Sequence, residues 1–447
     1  MASLDLEKKY LAAAISRHSI TIAPRLNRLY EIYKGKHKIL DKSSSNDNPC
    51  NKIILDYPRY ITDVLVGYFL GKPVTYVPNS NGQTFMEELK YIYKANNEQK
   101  HNIEIAKEAS VKGEAFEIVY INSKKEIEFV SVPAEQMCIY YKEGLKREID
   151  FAIRYYSIND LLTNKTILKA ELYTKESVKY FTKNEEEEFI LDQDIPHPFD
   201  EVPIIHYVNN LEKIGDWEKC INLIDDLENR ISENADELEA FRNAYIIFHG
   251  FGQIDPDKIR EFKEFGAMAL PDANDGVDFL TKNINDNFSE NHIKRLIEMI
   301  HKMAMVPDLA DEKFGNDISG VAIQFKLYCM EQVAANKELY FKEALTKRLK
   351  LIANVLNKIN LSHFNWDDID ITFTRNMPAN LSEYVDMACK LKDIISDETL
   401  LSQLPFITDV KSEMQRLDGQ AERDIYRDRQ RDTFMNDIMQ EQKSLEE

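Results

Sequence analysis

The 447-residue chain is poor in the residues that bend or cross-link a backbone. Glycine and proline together number 28, roughly half the usual share. That scarcity excludes collagen-like, Gly/Pro-rich disordered and many-turned all-β chains. Five cysteines, at 50, 138, 220, 329 and 389, stand far apart with no CxxC pair. They form neither a disulfide framework nor a zinc module, and they suit a reducing cytoplasm. Positive charge is in deficit: 57 Lys and Arg against 77 Asp and Glu leave −20 at pH 7. A generally basic, phosphate-gripping protein is excluded; a local DNA contact is not. The first residues, MASLDLEKKY, carry acids early, so no signal peptide is visible. The most apolar early stretch, Tyr60 to Leu70, contains Asp63 and is too short to span a bilayer.

Apolar residues make up 43% of the chain, enough to bury a core. The length allows about two or three domains. Leu26, Leu29, Tyr30 and Tyr33 recur at helical spacing, and Gly35 ends that run. Asp41 to Asn48 reads as a polar surface loop. From Asn51 to Leu70, Ile54, Tyr57, Ile61, Leu65 and Phe69 predict a buried helix of about five turns. Pro58 either kinks it or marks its true start, and Gly71, Lys72 and Pro73 stop it. Residues 84–111 read as a helix pair. The period then changes. Residues 115–120, 126–131, 151–156, 168–173, 178–182 and 189–191 alternate and are rich in β-branched or aromatic residues, as strands are. The acid run Glu185 to Glu188 reads as a solvated hairpin tip. Pro196, Pro198 and Pro203 predict a boundary near residue 200.

The second half is helical. Asp216 to Tyr245 holds no Gly or Pro, and Trp217, Ile221, Ile224, Leu227, Ile231, Leu238 and Phe241 form one apolar stripe. Such a narrow stripe needs a partner helix, from this chain or a neighbouring subunit. Residues 246–286 read as a small module: a strand at 246–251, a helix at 255–265, and strands near 267–270 and 277–280. A helix at about 290–305 follows, with Ile293, Leu296, Ile297, Ile300 and Met303 on one face. The module is thus a tip on a two-helix stalk. Residues 306–319 break the helix at Pro307 and Gly315 and hold four acids against one base, Lys313. A very long helix follows from about Val321 to Ile359, then a strand at 369–374 and helices from Leu381 to Leu417. The last thirty residues, with Arg423, Arg427, Arg429 and Arg431 among acids, read as helical or frayed.

No active site assembles from these residues. Gly67 to Pro73 resembles a shortened phosphate loop, but it has three residues between its glycines, Pro73 after Lys72, and a place at the end of a helix rather than its start. Glu298 and His301 have di-iron spacing without a second copy, and read as a surface Glu and a partly exposed His. No HExxH, GxSxG or GxGxxG occurs. His37 reads as a packed turn residue. No catalytic, cofactor or metal site is expected.

Three stretches carry a resemblance. They are Tyr30-Glu-Ile-Tyr33-Lys-Gly35-Lys-His37, Asn51 through Tyr57-Pro-Arg-Tyr60, Asp63 and Gly67-Tyr68-Phe-Leu-Gly71-Lys72-Pro73-Val74, and Pro307-Asp308-Leu309 through Phe314-Gly315-Asn316, Ser319-Gly320-Val321 and Met330-Glu331. In this order they resemble the portal proteins of tailed bacteriophages, of the type found in siphophages of Gram-positive bacteria. Cys50, before Asn51, stands where a polar residue is expected, and the region after about 376 matches least.

The resemblance implies an α+β, mainly helical subunit with an α/β wing (1–213), a stem helix (214–245), a clip (246–286), a second stem helix (287–305), a tunnel loop (306–319), a wing spine helix and strand (320–375), and a helical crown and tail (376–447). It implies no enzyme and no cofactor. It implies a ring homo-oligomer, usually dodecameric, at one capsid vertex of the virion, assembled in the host cytoplasm. The ring would be the channel for DNA packaging and ejection, passing double-stranded DNA without sequence preference. Terminase, head–tail connector or adaptor proteins, and major capsid and scaffolding proteins are the implied partners; a membrane is not. By that likeness Asp308, Asp311, Glu312, Lys313, Phe314 and Asn316 are expected at the DNA-facing loop. The alternative is that the acids cap helices and Phe314 packs on the long helix. Ile221, Ile224, Leu227 and Ile231 are expected at stem contacts between subunits. A cytoplasmic helical scaffold or adaptor, or a DNA-processing enzyme, is the competing reading.

Overall fold

The computed structural model describes residues 2–43, 49–145, 148–159, 161, 165–242, 245–249, 260, 276–280, 286–309, 320–376, 381–392, 394–402, 404, 407, 410, 412–420 and 423. The N-terminal half runs α1 (Ala2–Thr21), α2 (Ala23–Tyr33), α3 (Tyr57–Leu70), β1 (Thr75–Pro78), α4 (Gln83–Ala95) and α5 (Glu98–Lys112), then a run of strands. These are β2 (Glu114–Ile121), β3 (Ile127–Val132), β4 (Met137–Tyr141), β5 (Ile149–Asn159), β6 (Thr166–Tyr173), β7 (Ser177–Lys183), β8 (Phe189–Pro196) and β9 (Ile204–Val208). The second half runs α6 (Ile221–Arg242), β10 (Tyr245–His249), β11 (Gly276–Leu280), α7 (Asp286–Ala304), α8 (Gly320–Asn360), β12 (Ile369–Thr372), α9 (Leu381–Leu391) and α10 (Asp397–Ser402). The fold is α+β.

Most elements follow the sequence pattern, with three corrections. The helix expected from Asn51 begins at Tyr57, because Pro58 occupies its first turn, where a missing N–H has no partner to lose. Strands β1, β4 and β9 are additions. Strand β1 is four residues long and β4 is an apolar run without alternation. Strand β9 is buried over most of its length, so it also lacks alternation. It pairs antiparallel with β2, Ile204 opposite Ile118, so the prolines near 200 interrupt the N-terminal unit rather than end it. The sheet order there is β3-β2-β9. A second, five-stranded meander, β4-β5-β6-β7-β8, is covered by Leu11, Ala14 and Ile15 of α1. Its β7–β8 turn is the acid run 185–188, exposed as expected. Gly113 joins α5 to β2 at φ +86; a Cβ there would sit 2.1 Å from the Lys213 carbonyl oxygen.

Helix α8 is the beam of the molecule: 41 residues, about 60 Å long at 1.5 Å per residue. Phe341, Leu345, Leu349 and Ile352 bury against α3–α5 and the β3-β2-β9 sheet. Among them Arg348 is wholly buried. Its guanidinium forks onto Glu117 of β2, with Nε to Oε1 at 2.9 Å, and also donates to Asn102 of α5 at 2.9 Å and the Tyr207 hydroxyl of β9 at 2.8 Å. Phe129 lies 4.6 Å beneath it. Burial raises the Glu117 carboxyl pKa, but the Arg348 charge and the His101 and Arg348 hydrogen bonds outweigh it and hold the group at about 2.

A strap positions α6. Residues 51–55 run beside it, and alternate backbone amides donate to side chains one helical turn apart. Asn51 N–H reaches Asp236 at 2.5 Å, Ile53 N–H reaches Ser232 at 3.0 Å and Leu55 N–H reaches Glu228 at 2.9 Å. Two extended residues advance about 6.6 Å and four helical residues about 6 Å, so the periods match. His37 Nδ1 meets the same Glu228 carboxylate at 2.5 Å, with both side chains fully buried. His37 is therefore an ion-pair partner rather than a simple turn residue. Burial lowers its pKa, but the Glu228 bond and charge more than offset this and leave it raised.

Two outcomes follow. Arg348→Met leaves the buried Glu117 carboxylate with only His101 and the Tyr207 hydroxyl as partners, and is expected to lower unfolding free energy by about 3–5 kcal/mol in urea titrations. The raised His37 pKa means its contribution is complete below pH 6.5 and is lost as pH rises through the folded-state value. The urea midpoint of the wild type should therefore fall more between pH 6 and 9 than that of His37→Gln, which keeps a donor but cannot titrate.

Candidate functional site

Helices α6 and α7 form an antiparallel rod. Ser289 Oγ donates to Asn234 Oδ1 at 2.9 Å, His292 Nε2 lies 3.2 Å from Asp226 Oδ2, and Cys220 Sγ lies 3.8 Å from the Ile300 carbonyl oxygen. At one end β10 and β11 pair antiparallel, Tyr245 opposite Leu280. The helix expected at 255–265 and the strand near 267–270 lie outside the described residues, apart from helical Arg260.

The apolar stripe of α6 is largely consumed within the chain. Trp217, Ile224 and Leu227 are buried with Leu296 and Ile300 of α7, Leu65 of α3 and Leu327 and Met330 of α8. Ile224 and Leu227 therefore face this chain's own core, because α3 and α8 flank the stripe as well as α7. Ile221 and Ile231 are half-buried at its margins, and Leu238 projects from it at 71% exposure. On α7 the expected face shifts: Ala304 is buried and Met303 is 50% exposed. Arg295, Met299 and Met303 line an outward stripe on α7, flanked by exposed Lys294 and Lys302. The outward side of α6 shows Glu233 and Glu239, with Asp226 and Glu237 half-buried, and exposed Arg230 pairs with Asp226 and Glu233.

At the other end of the rod the chain leaves α7 toward the acidic loop. Asp308 is half-buried; Asp311, Glu312, Lys313, Phe314 and Asn316 lie outside the described residues. The loop's first residues are held by two side chains. Tyr60, on α3, donates its hydroxyl to the Pro307 carbonyl and accepts from the Leu309 N–H, each at 3.2 Å. His301 Nδ1, on α7, bonds the Val306 carbonyl at 3.1 Å, and its Nε2 stands 4.0 Å from Asp308. The Tyr60 and His301 rings meet edge-on at 5.8 Å, with Tyr57 5.8 Å from His301. Burial, reinforced by the Asp308 charge, raises both tyrosine pKa values and keeps the hydroxyls protonated. Sequence reasoning gave neither Tyr60 nor His301 a role here.

A concavity of about 880 Å³ lies between the meander, β9 and α8. Its five lysines are matched by five acids, so it offers no net charge to an anion. Lys347 and Lys350 pair with Glu201, Lys213 with Glu114 and Lys142 with Glu148. Glu114 is buried, which raises its pKa, but His206 and Lys213 bring it down to about 2. Among the described residues no group of three or more His, Cys, Asp and Glu could hold a metal ion. Among them, too, no helix is long and apolar enough to cross a membrane.

The chain is similar to the portal protein of Bacillus phage SPP1, 26% identical over 400 residues that cover 85% of this chain and 77% of that protein. It is also similar to the portal protein of Clostridium phage phiCD119, 24% identical over 407 residues that cover 85% of this chain and 88% of that protein. A family model described as phage portal protein, SPP1 Gp6-like, matches residues 12–426, and the chain belongs to that family.

Proposed function

We propose that copies of this chain close into a ring, dodecameric as the family likeness implies, at one vertex of a phage capsid. The ring is the channel through which double-stranded DNA enters during packaging and leaves during ejection. In this reading α6 and α7 are the stem, the β10–β11 pair belongs to the clip that docks terminase and then head–tail connector proteins, α8 is the spine of the wing, and the helices after 376 form the crown. Capsid and scaffolding proteins surround it. The protein is structural rather than catalytic. Family membership across residues 12–426 is the observation that carries the reading.

The chemistry supports it. A channel for DNA must pass the polymer without holding it. Every phosphate neutralised by a fixed cation adds affinity through counterion release, so a lysine-lined bore would be adhesive. The loop at 306–319, with four acids and Lys313, repels the backbone instead. A closed ring also needs two different faces that fit each other. The outward stripe of Arg295, Met299 and Met303 with its lysines, and the acidic outward side of α6, supply one complementary pair. Stem contact between subunits is therefore assigned to these faces and to Ile221 and Ile231 at their margin, with Ile224 and Leu227 left to the core of each subunit.

Three variants check the reading. Met299→Asp with Met303→Asp should give a folded monomer with an unchanged thermal transition and no annular particles by electron microscopy. Ile224→Asp should instead destabilise the subunit itself, by about 3 kcal/mol or more, since it buries an unpaired carboxyl. Asp311→Lys with Glu312→Lys should form rings that package DNA more slowly, with the deficit shrinking as salt screens the added charge; normal packaging would remove the loop's charge from the mechanism.

A further inference from the structure

The residues that open the acidic loop are not held as a surface turn usually is. Four consecutive positions, 306 to 309, are each engaged by one of two side chains from two different helices. His301 takes the Val306 carbonyl and stands beside Asp308; Tyr60 takes the Pro307 carbonyl and the Leu309 N–H. The two side chains lock each other through their edge-on ring contact, and Tyr57 closes the third side, 6.5 Å from Tyr60. Tyr60 lies in the first turn of α3, which the rest of that helix ties to the core through Ile61, Leu65 and Phe69.

We propose that Tyr60 and His301 form a clamp that sets where residues 306–309 enter the channel, and so positions the loop that follows them against DNA. The proposal rests on the channel reading above. A purely packing role for Tyr60 needs only its ring. The hydroxyl is used otherwise: it donates to one backbone carbonyl and accepts from an amide two residues later, so a single oxygen fixes both direction and register of the strand of chain that leaves α7. A hydroxyl bonded to two backbone groups reads main-chain position and not side-chain identity, as a locating device requires. Asp308 lies beside the imidazole, 4.0 Å from its Nε2.

Tyr60→Phe removes only the hydroxyl. In full-length protein assembled into rings, the Leu309 amide of this variant should exchange its hydrogen about tenfold faster than in wild type, from the loss of two modest hydrogen bonds. The thermal transition and the particle shape should stay as they were. Heads assembled with the variant ring, supplied with the terminase of the same phage and ATP, should take up DNA at less than half the wild-type rate. His301→Gln, which can still donate to the Val306 carbonyl, should retain more uptake than His301→Leu. Unchanged exchange at Leu309 in Tyr60→Phe overturns the clamp, and faster exchange with wild-type uptake overturns its positioning role. Failure of the wild-type chain itself to form rings or take up DNA overturns the channel reading instead, so the two failures are separable.

Discussion

A single buried guanidinium constrains the rest of the subunit. Arg348 sits about two thirds of the way along α8 and is satisfied only where Glu117, Asn102 and Tyr207 converge from β2, α5 and β9. An ion pair out of water holds its place because any displacement leaves a charge uncompensated. Helix α8 therefore cannot slide or roll against the sheet. Its register then fixes, about 27–32 Å along the helix axis, where Met330 and Leu327 meet the α6–α7 rod. The sheet, the beam and the rod are one mechanical unit because one residue on the beam admits one seating.

The acid surplus divides into two populations with different work. Glu117, Glu114, Glu228, Asp236 and Asp216 point inward, each meeting a base or a backbone amide; Asp216, for example, takes Lys337 at 2.6 Å and Ser110 at 2.5 Å. Glu185 to Glu188, Glu233 and Glu239 are exposed, and Glu185, Glu187 and Glu233 sit in surface ion pairs with Lys165, Lys183 and Arg230. The inner carboxylates serve as structural groups.

Much of the architecture was legible in the sequence, and much of the proposed working surface was not. The apolar stripes located α6 and α7 as helices. They did not separate the buried from the outward side of α6, since Ile224, Leu227, Ile231 and Leu238 look alike as a stripe. Nor could they show that Tyr60 reaches Pro307 and Leu309, or that an unremarkable Glu-x-x-His spacing hides the histidine that holds Val306. His37 read as a turn residue for the same reason: its partner, Glu228, is remote in sequence and gives no local pattern.

What the sequence determined by itself is what repeats over a few residues. The 3.6-residue period placed α2, α6, α7 and α8, alternation placed β2, β3 and β5 to β8, and Gly35 and the Gly71-Lys72-Pro73 stop placed ends. Only the tertiary structure decided the start of α3, the pairing of β1 with β12, the entry of β9 beside β2, and which apolar face one chain covers alone. Those outcomes depend on donors, acceptors and apolar surfaces brought together from distant segments. A helical or alternating period reports that a face will be buried; it carries no record of what will bury it.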